Sequence, residues 1–399
     1  MHVCLVSREY TTEDHAGGIG TYTEKTARAL ARFGVAVTVI TEGLSGSSVA
    51  LEDGVDVHRL PPARLTRFGN PPFTGRLARS HAVAAAISRL HKRPDIVQAC
   101  EYSAEAFWYS LGNRRARLVT RLATPFAILA NLNADGGTSR LVAVGLDRME
   151  RFQTRRSDVV ISPSAALAEL VSRRWRLSPD RLRVVPTGVD FSARYAGTST
   201  RLPAELEGHQ FGVYFGRLEH RKGVHILAEA LPRVFNANPD LHFVFAGRDH
   251  VTSSGESMRS LVERCNREHP DRLHFYTQLS HHRLYPIVAG ALFAVLPSLW
   301  ESVSNAALEA LDAGTPLIAT TGGGFEEVVE HGRSGLLVTP GDARALEESM
   351  LALLADRPRL AAMSRQAKAR AGCFSLENMV RRLLDVYQEL LQEPLGARA

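Results

Sequence analysis

The stretch Ser298-Leu-Trp-Glu301-Ser-Val-Ser-Asn305-Ala-Ala-Leu-Glu309-Ala-Leu-Asp-Ala-Gly314-Thr-Pro316 sets two carboxylates eight residues apart around a helix start. The run before it, Leu292-Phe-Ala-Val-Leu296, is short and apolar and ends at Pro297, the pattern of a buried strand. From Asn305 the apolar residues recur at helical spacing until Gly314 closes the helix. Strand, loop and helix in that order put Glu301 in the loop and Glu309 one to two turns inside the helix. Ser302, Ser304 and Asn305 are good capping residues, and the unpaired amides of a first helical turn form a seat for a phosphate. The glutamate pair taken alone fits a glycosidase dyad or a surface coincidence equally well.

The alternation continues outward in both directions. The second half carries strand-like runs at 211–215, 241–246, 272–275, 292–296, 316–319 and 335–338, with helical periodicity at 223–236, 257–268, 281–289, 304–313 and 342–355. The first half has strands at 3–7, 35–41, 95–99, 117–120, 158–161 and 182–185, with helices at 19–33, 76–92, 103–111, 141–155 and 165–174. Such alternation predicts parallel, doubly wound sheets. At 399 residues the chain exceeds one typical core, so two Rossmann-like α/β domains are expected. The boundaries fall at 1–190 for the first, 191–208 for a small, polar linker, and 209–373 for the second.

Composition excludes several classes. Apolar content of 45% and charge of 23% are those of a soluble globular protein, no run approaches a membrane span, and a cytoplasmic location is expected. Cys4, Cys100, Cys265 and Cys373 lack metal-ligand or redox spacing and read as reduced thiols. Residues 1–190 hold 26 Lys/Arg against 18 Asp/Glu, a net +8, whereas 191–399 hold 22 against 24. Only four of the 48 basic residues are lysine, a bias of the kind set by genomic base composition. No recognition module supports nucleic-acid binding. The basic first half suits either a solvated arginine surface or attraction to an anionic acceptor or a peripheral membrane contact.

Further motifs surround the glutamate pair: Gly314-Thr-Pro316-Leu-Ile-Ala-Thr320, Gly323-Gly324-Phe-Glu-Glu327, His331-Gly332-Arg-Ser-Gly335 and Pro340-Gly341-Asp342. Together they resemble the Glu-x7-Glu region of retaining, nucleotide-sugar-dependent glycosyltransferases of family 4 (glycosyl transferases group 1). The resemblance implies the GT-B fold, two Rossmann-like domains facing a central cleft. It also implies transfer of a hexosyl group from a nucleoside diphosphate sugar, UDP-sugar first, to a hydroxyl acceptor on a sugar, natural product or lipid-linked group. The apolar helix after Phe374-Ser375 resembles the segment that crosses back to complete the first domain, and 42–75 reads as loops on the acceptor side.

Phe215-Gly216-Arg217-Leu-Glu-His-Arg-Lys222-Gly223 brings two fixed cations to the end of a strand. Preplaced Arg217 and Lys222 stabilise the charge that grows on a departing diphosphate, and the family puts both on the donor phosphates. By the same resemblance, Glu309 accepts from ribose hydroxyls, Glu301 from the transferred sugar, and front-face attack lets the leaving phosphate take the acceptor proton. With Arg217 and Lys222 in place and no Asp-x-Asp motif, neither metal nor other cofactor is expected.

In the first half, His15-Ala-Gly17-Gly18-Ile-Gly20 opens a helix, and its glycines let backbone amides approach a ligand closely. A dinucleotide fingerprint with Glu42, and hence an NAD-dependent oxidoreductase, is the rival; the late start of the glycines and Thr23 at the third small position count against it. Together with the C-terminal motifs, the loop better resembles the family's Gly-Gly closure over donor and acceptor, which implies Gly18 and Gly20 as donor contacts, with His15, Glu101 and Arg121 as candidate acceptor contacts. Tyr102, Arg148 and Glu150 read as structural or surface residues near the acceptor side, and His281-His282 as a surface pair. The chain departs from the family at Ala123, where a histidine is usual, and at Thr277, Gly247-Arg248-Asp249 and Glu326. The Ala123 departure motivates an alternative: a GT-B nucleotide-sugar-binding protein with little or no turnover.

Overall fold

The structure, a computed structural model, describes residues 1–10, 17–43, 46–62, 72–112, 114–132, 140–195, 201–251, 255–277 and 279–393. It contains two compact units. The first comprises Met1–Ala130, Thr138–Thr187 and Leu376–Ala399, and the second chiefly Gly188–Ser375.

The first unit is an eight-stranded sheet of β1 (His2–Val6), β2 (Ala36–Glu42), β3 (Ser48–Glu52), β4 (Val55–Leu60), β5 (Ile96–Cys100), β6 (Arg117–Arg121), β7 (Val159–Ser162) and β8 (Leu182–Val184). Their order is β3-β4-β2-β1-β5-β6-β7-β8, parallel except for β3 against β4. Strand pleating sorts the side chains of β1 onto two faces. Val3 and Leu5 join the core covered by helices Gly18–Arg32 and Leu376–Gln392, while Cys4 and Val6 join the opposite core with Val83 and Ile87. The C-terminal helix closes the first core with Met379, Leu383, Tyr387 and Leu390.

The second unit is a six-stranded, all-parallel sheet of β9 (Gln210–Phe215), β10 (Leu241–Ala246), β11 (Leu273–Tyr276), β12 (Phe293–Leu296), β13 (Leu317–Thr320) and β14 (Gly335–Val338). The order β11-β10-β9-β12-β13-β14 reverses direction between β9 and β12. A reversal of this kind opens a crevice beyond the strand carboxyl ends, where doubly wound sheets bind ligands.

Two expectations are corrected. Residues 48–60 form a hairpin, not loop. Asp53 (φ 48°) and Gly54 (φ 80°) both occupy the left-handed region, as a two-residue turn between right-twisted strands requires. Val55 and Val57 point inward and are fully buried. The segment 191–208 is also more than a linker: Phe191–Tyr195 is helical, and Leu206 is fully buried. Phe191 packs edge-on against Tyr195 and Tyr285, at 5.6 and 5.2 Å between ring centroids. The chain enters and leaves the second unit side by side, with the Val189 amide donating to the Phe374 carbonyl at 2.8 Å.

All four cysteines are free thiols. No described helix is long and apolar enough to cross a membrane. Because Phe191 is only 1% exposed, Phe191→Ala should lower the unfolding free energy by about 3–5 kcal/mol in urea titration. A loss below about 1 kcal/mol would return the segment to linker status.

Candidate functional site

The loops that leave β9 and β12 meet at the reversal point of the second sheet, and glycine makes the approach possible. Gly223 has φ +68°, and a Cβ there would stand 1.9 Å from the Pro297 carbonyl oxygen. The Leu299 amide donates to the Arg221 carbonyl at 2.8 Å, joining the loops a second time. On the other flank, the Gly324 amide donates to the Glu301 carbonyl at 2.8 Å, and a Cβ on Gly324 would lie 1.5 Å from the Ser302 carbonyl oxygen. Glu326 accepts from the Gly322 amide at 2.9 Å, which gives this departure from the family a local role.

Glu301 is held between these supports, 7% exposed. Its Oε1 accepts from the Arg221 guanidinium at 2.8 Å and also from the Lys222 ammonium. Arg221 bridges onward to Glu219 at 2.8 Å, and the more exposed Arg217 lies 3.4 Å from the same Glu219 oxygen. Burial raises the Glu301 carboxyl, but the charges and hydrogen bonds of Lys222 and Arg221 outweigh it and hold the group below the usual carboxylate range. Burial likewise lowers the Lys222 ammonium, against the pull of Glu301. Sequence reading passed over Glu219 and Arg221 as spacer positions. Their signal was the density of charge in Glu219-His-Arg221-Lys222 directly after a buried strand.

Helix Asn305–Ala313 begins beside this cluster and ends at Gly314, whose φ is 82°. Ser304 occupies its N-cap without a side-chain cap hydrogen bond, and Ser302 and Ser304 are buried. Glu309 is buried inside the helix with its Oε1 3.8 Å from His281 Nε2. Gly216, Arg217, Lys222, Glu301, Ser302, Ser304, Asn305 and Glu309 therefore all belong to the second unit, on the loops and helix that leave β9 and β12.

Gly18, Gly20, Glu101 and Arg121 belong to the first unit. Gly18 and Gly20 lie in the first turn of helix Gly18–Arg32, and the Gly17 amide before them donates to the Glu9 carboxylate at 2.7 Å. His15 lies outside the described residues. Arg121 stacks on Tyr22, 3.9 Å from the ring centroid, and donates to Thr187 at 2.9 Å, so its visible partners are internal. Glu101 is fully buried and accepts from the Ala123 amide at 2.7 Å. Glu150, read as structural or surface, is fully buried too and accepts from the amides of Ser103 and Phe126, both at 2.9 Å. It joins the turn after β5 to the helix after β6. Burial pushes the Glu101 carboxyl up to about 7, against hydrogen bonds from Cys100 and Ala123. Burial, then the Glu101 charge, pushes Glu150 up to about 8.

A doubly wound second unit with charged loops at its reversal point, in a chain whose first unit is also built on a largely parallel sheet, is the architecture of a GT-B glycosyltransferase. Comparisons with known proteins agree. The family model described as "Glycosyl transferases group 1" matches residues 203–370, and that described as "Glycosyltransferase Family 4" matches residues 16–193. The glycogen synthase of Mycobacterium tuberculosis is 30% identical, the match covering 92% of this chain and 89% of that protein. The sucrose-phosphate synthase of Thermosynechococcus elongatus superposes with a TM-score of 0.81 at 22% identity, covering 98% of this chain and 99% of that one. HepE of Anabaena, solved in complex with UDP-glucose, superposes at 0.70 with 17% identity, covering 98% and 100%. The chain belongs to the group 1, family 4 glycosyltransferases and is a glycosyltransferase enzyme. The dinucleotide reading of the first glycine loop falls with that assignment.

Glu150 and Glu101 give a pH-dependent prediction. Each holds a proton in the folded protein over a range where the unfolded chain, with carboxyls near 4.5, has released it, so stability falls as pH rises toward 8. Glu150→Gln should flatten the pH dependence of urea unfolding between about pH 5 and 8 by a few kcal/mol, on the order of the linked shift. Parallel profiles for wild type and variant would contradict this.

Proposed function

We propose that the protein is a retaining, cytoplasmic transferase that moves a hexosyl group from a UDP-sugar to a hydroxyl acceptor without a divalent cation. The observation that carries this reading is the Arg217, Arg221, Lys222 and Glu301 cluster beside the start of helix Asn305–Ala313. In the free protein Lys222 shares Glu301 with Arg221. An arriving diphosphate competes for the ammonium, while Arg221 keeps the carboxylate charge compensated. Glu301 then has capacity to accept from hydroxyls of the transferred sugar, and Glu309 accepts from ribose hydroxyls.

As the bond from the anomeric carbon to the diphosphate oxygen breaks, negative charge collects on the leaving group. Arg217, Lys222 and the first-turn amides oppose it, and they act more strongly on the transition state than on the ground state. The acceptor oxygen bonds to the same face of that carbon, and its proton passes to the departing phosphate. The UDP-glucose bound by HepE supports the choice of donor. The net +8 of residues 1–190 supports an anionic acceptor or a peripheral membrane contact. A second reading, donor binding without turnover, draws on Ala123 at the position where the family commonly has histidine.

Thermal shift and calorimetry with UDP-, GDP- and ADP-glucose test the donor, and UDP release from UDP-glucose in EDTA tests turnover and the cation. UDP-sugar binding with EDTA-resistant release is expected; binding without release selects the second reading. Lys222→Ala should cut release roughly 100-fold or more, in the range for removing one charge-stabilising donor, and lower turnover far more than it disturbs folding, because Arg221 still compensates Glu301. Unchanged kinetics would remove Lys222 from the mechanism.

A further inference from the structure

His281 and His282 read from sequence as a surface pair, yet the structure separates them. His282 turns to its own helix cap, its Nδ1 2.8 Å from Ser280 Oγ. His281 faces Glu309, with its side chain 42% exposed against 6% for the glutamate.

The surroundings fix this geometry. The His281 ring lies over Tyr195 (6.1 Å, 24° between planes) and meets Phe191 edge-on at 6.2 Å. Both aromatics come from helix Phe191–Tyr195, which is fastened to the helix that carries Glu309. The Ser192 amide donates to Asp312 Oδ2 at 2.6 Å, its hydroxyl donates to Asp312 Oδ1 at 3.1 Å, and Lys368 lies 3.6 Å from that oxygen. Asp312 follows Glu309 by three residues on the same helix. One frame therefore holds both the imidazole and the carboxylate.

The 3.8 Å between His281 Nε2 and Glu309 Oε1 is too long for a direct hydrogen bond. It suits one intervening hydroxyl, whose oxygen can stand about 2.8 Å from both atoms. A hydroxyl matches the pair chemically, because it donates to the carboxylate and accepts from the imidazole N–H. Resting on the nucleoside diphosphate reading above, we propose that His281 is a specificity-determining residue that shares one ribose hydroxyl with Glu309. The pocket thereby selects ribonucleotides at that hydroxyl.

Calorimetric titration of UDP, 2′-deoxy-UDP and 3′-deoxy-UDP into wild type, His281→Ala and His281→Gln tests this. His281→Ala should weaken UDP about 3- to 10-fold, the range for one hydrogen bond. One deoxy analogue should bind wild type and His281→Ala equally, because the shared hydroxyl is already gone. His281→Gln keeps an N–H donor and should recover part of the loss. Unchanged UDP affinity in His281→Ala, or equal weakening for all three nucleotides, overturns the proposal and leaves the donor reading standing. Failure of the folded wild type to bind any of the three overturns the UDP reading and this inference with it.

Discussion

Keeping the Glu301 carboxylate ionised inside protein is the constraint on which the second unit's site depends. A buried charge is costly unless partners surround it, and here Arg221 and Lys222 converge on one oxygen. Those partners reach it only because Gly223 turns left-handed against Pro297. The carboxylate stays in place because Gly324 lets the next loop close on Ser302 without a side chain between them. Three loops are therefore fitted around one ion, which explains why bulk is excluded at particular glycines. The arrangement holds cations beside a helix start before any ligand arrives, and such preorganisation makes electrostatic stabilisation effective in a transition state.

Much of this was legible in the chain. Strands buried on both faces, such as Phe293–Leu296 and Leu317–Thr320, announce themselves as apolar runs, and the Gly314 cap marks a helix end. The contacts of Glu301 with Lys222 and Arg221 were not legible. They join residues about 80 positions apart through the order of strands in the sheet, and local pattern carries no record of that order. The same limit left Glu150 open between a structural and a surface residue, since its two amide donors come from different segments after β5 and β6. The hairpin at 48–60 is a different case. Asp53-Gly54 between alternating valines was a readable turn signal, obscured by the Gly-rich and Pro-rich sequence on either side.

The segment 191–208 shows how composition misleads at a boundary. Its small, polar residues fit a connector, yet Phe191 and Leu206 are core residues of the second unit. A few large apolar side chains suffice to dock a short polar segment, since each is surrounded on every side once buried. Docking also brings its aromatic residues, Phe191 and Tyr195, against the His281 ring.

The adjacent entry and exit of the chain at Val189 and Phe374 make the second unit a nested insertion within the first. During synthesis the ribosome completes the whole nested unit before it makes Leu376–Gln392. Until then the face of the first sheet containing Val119 and Ile161 lacks the cover of Met379, Leu383 and Tyr387. The nascent first unit thus carries an open apolar face while the second is already able to fold, and shielding it during translation is a burden that this chain order imposes.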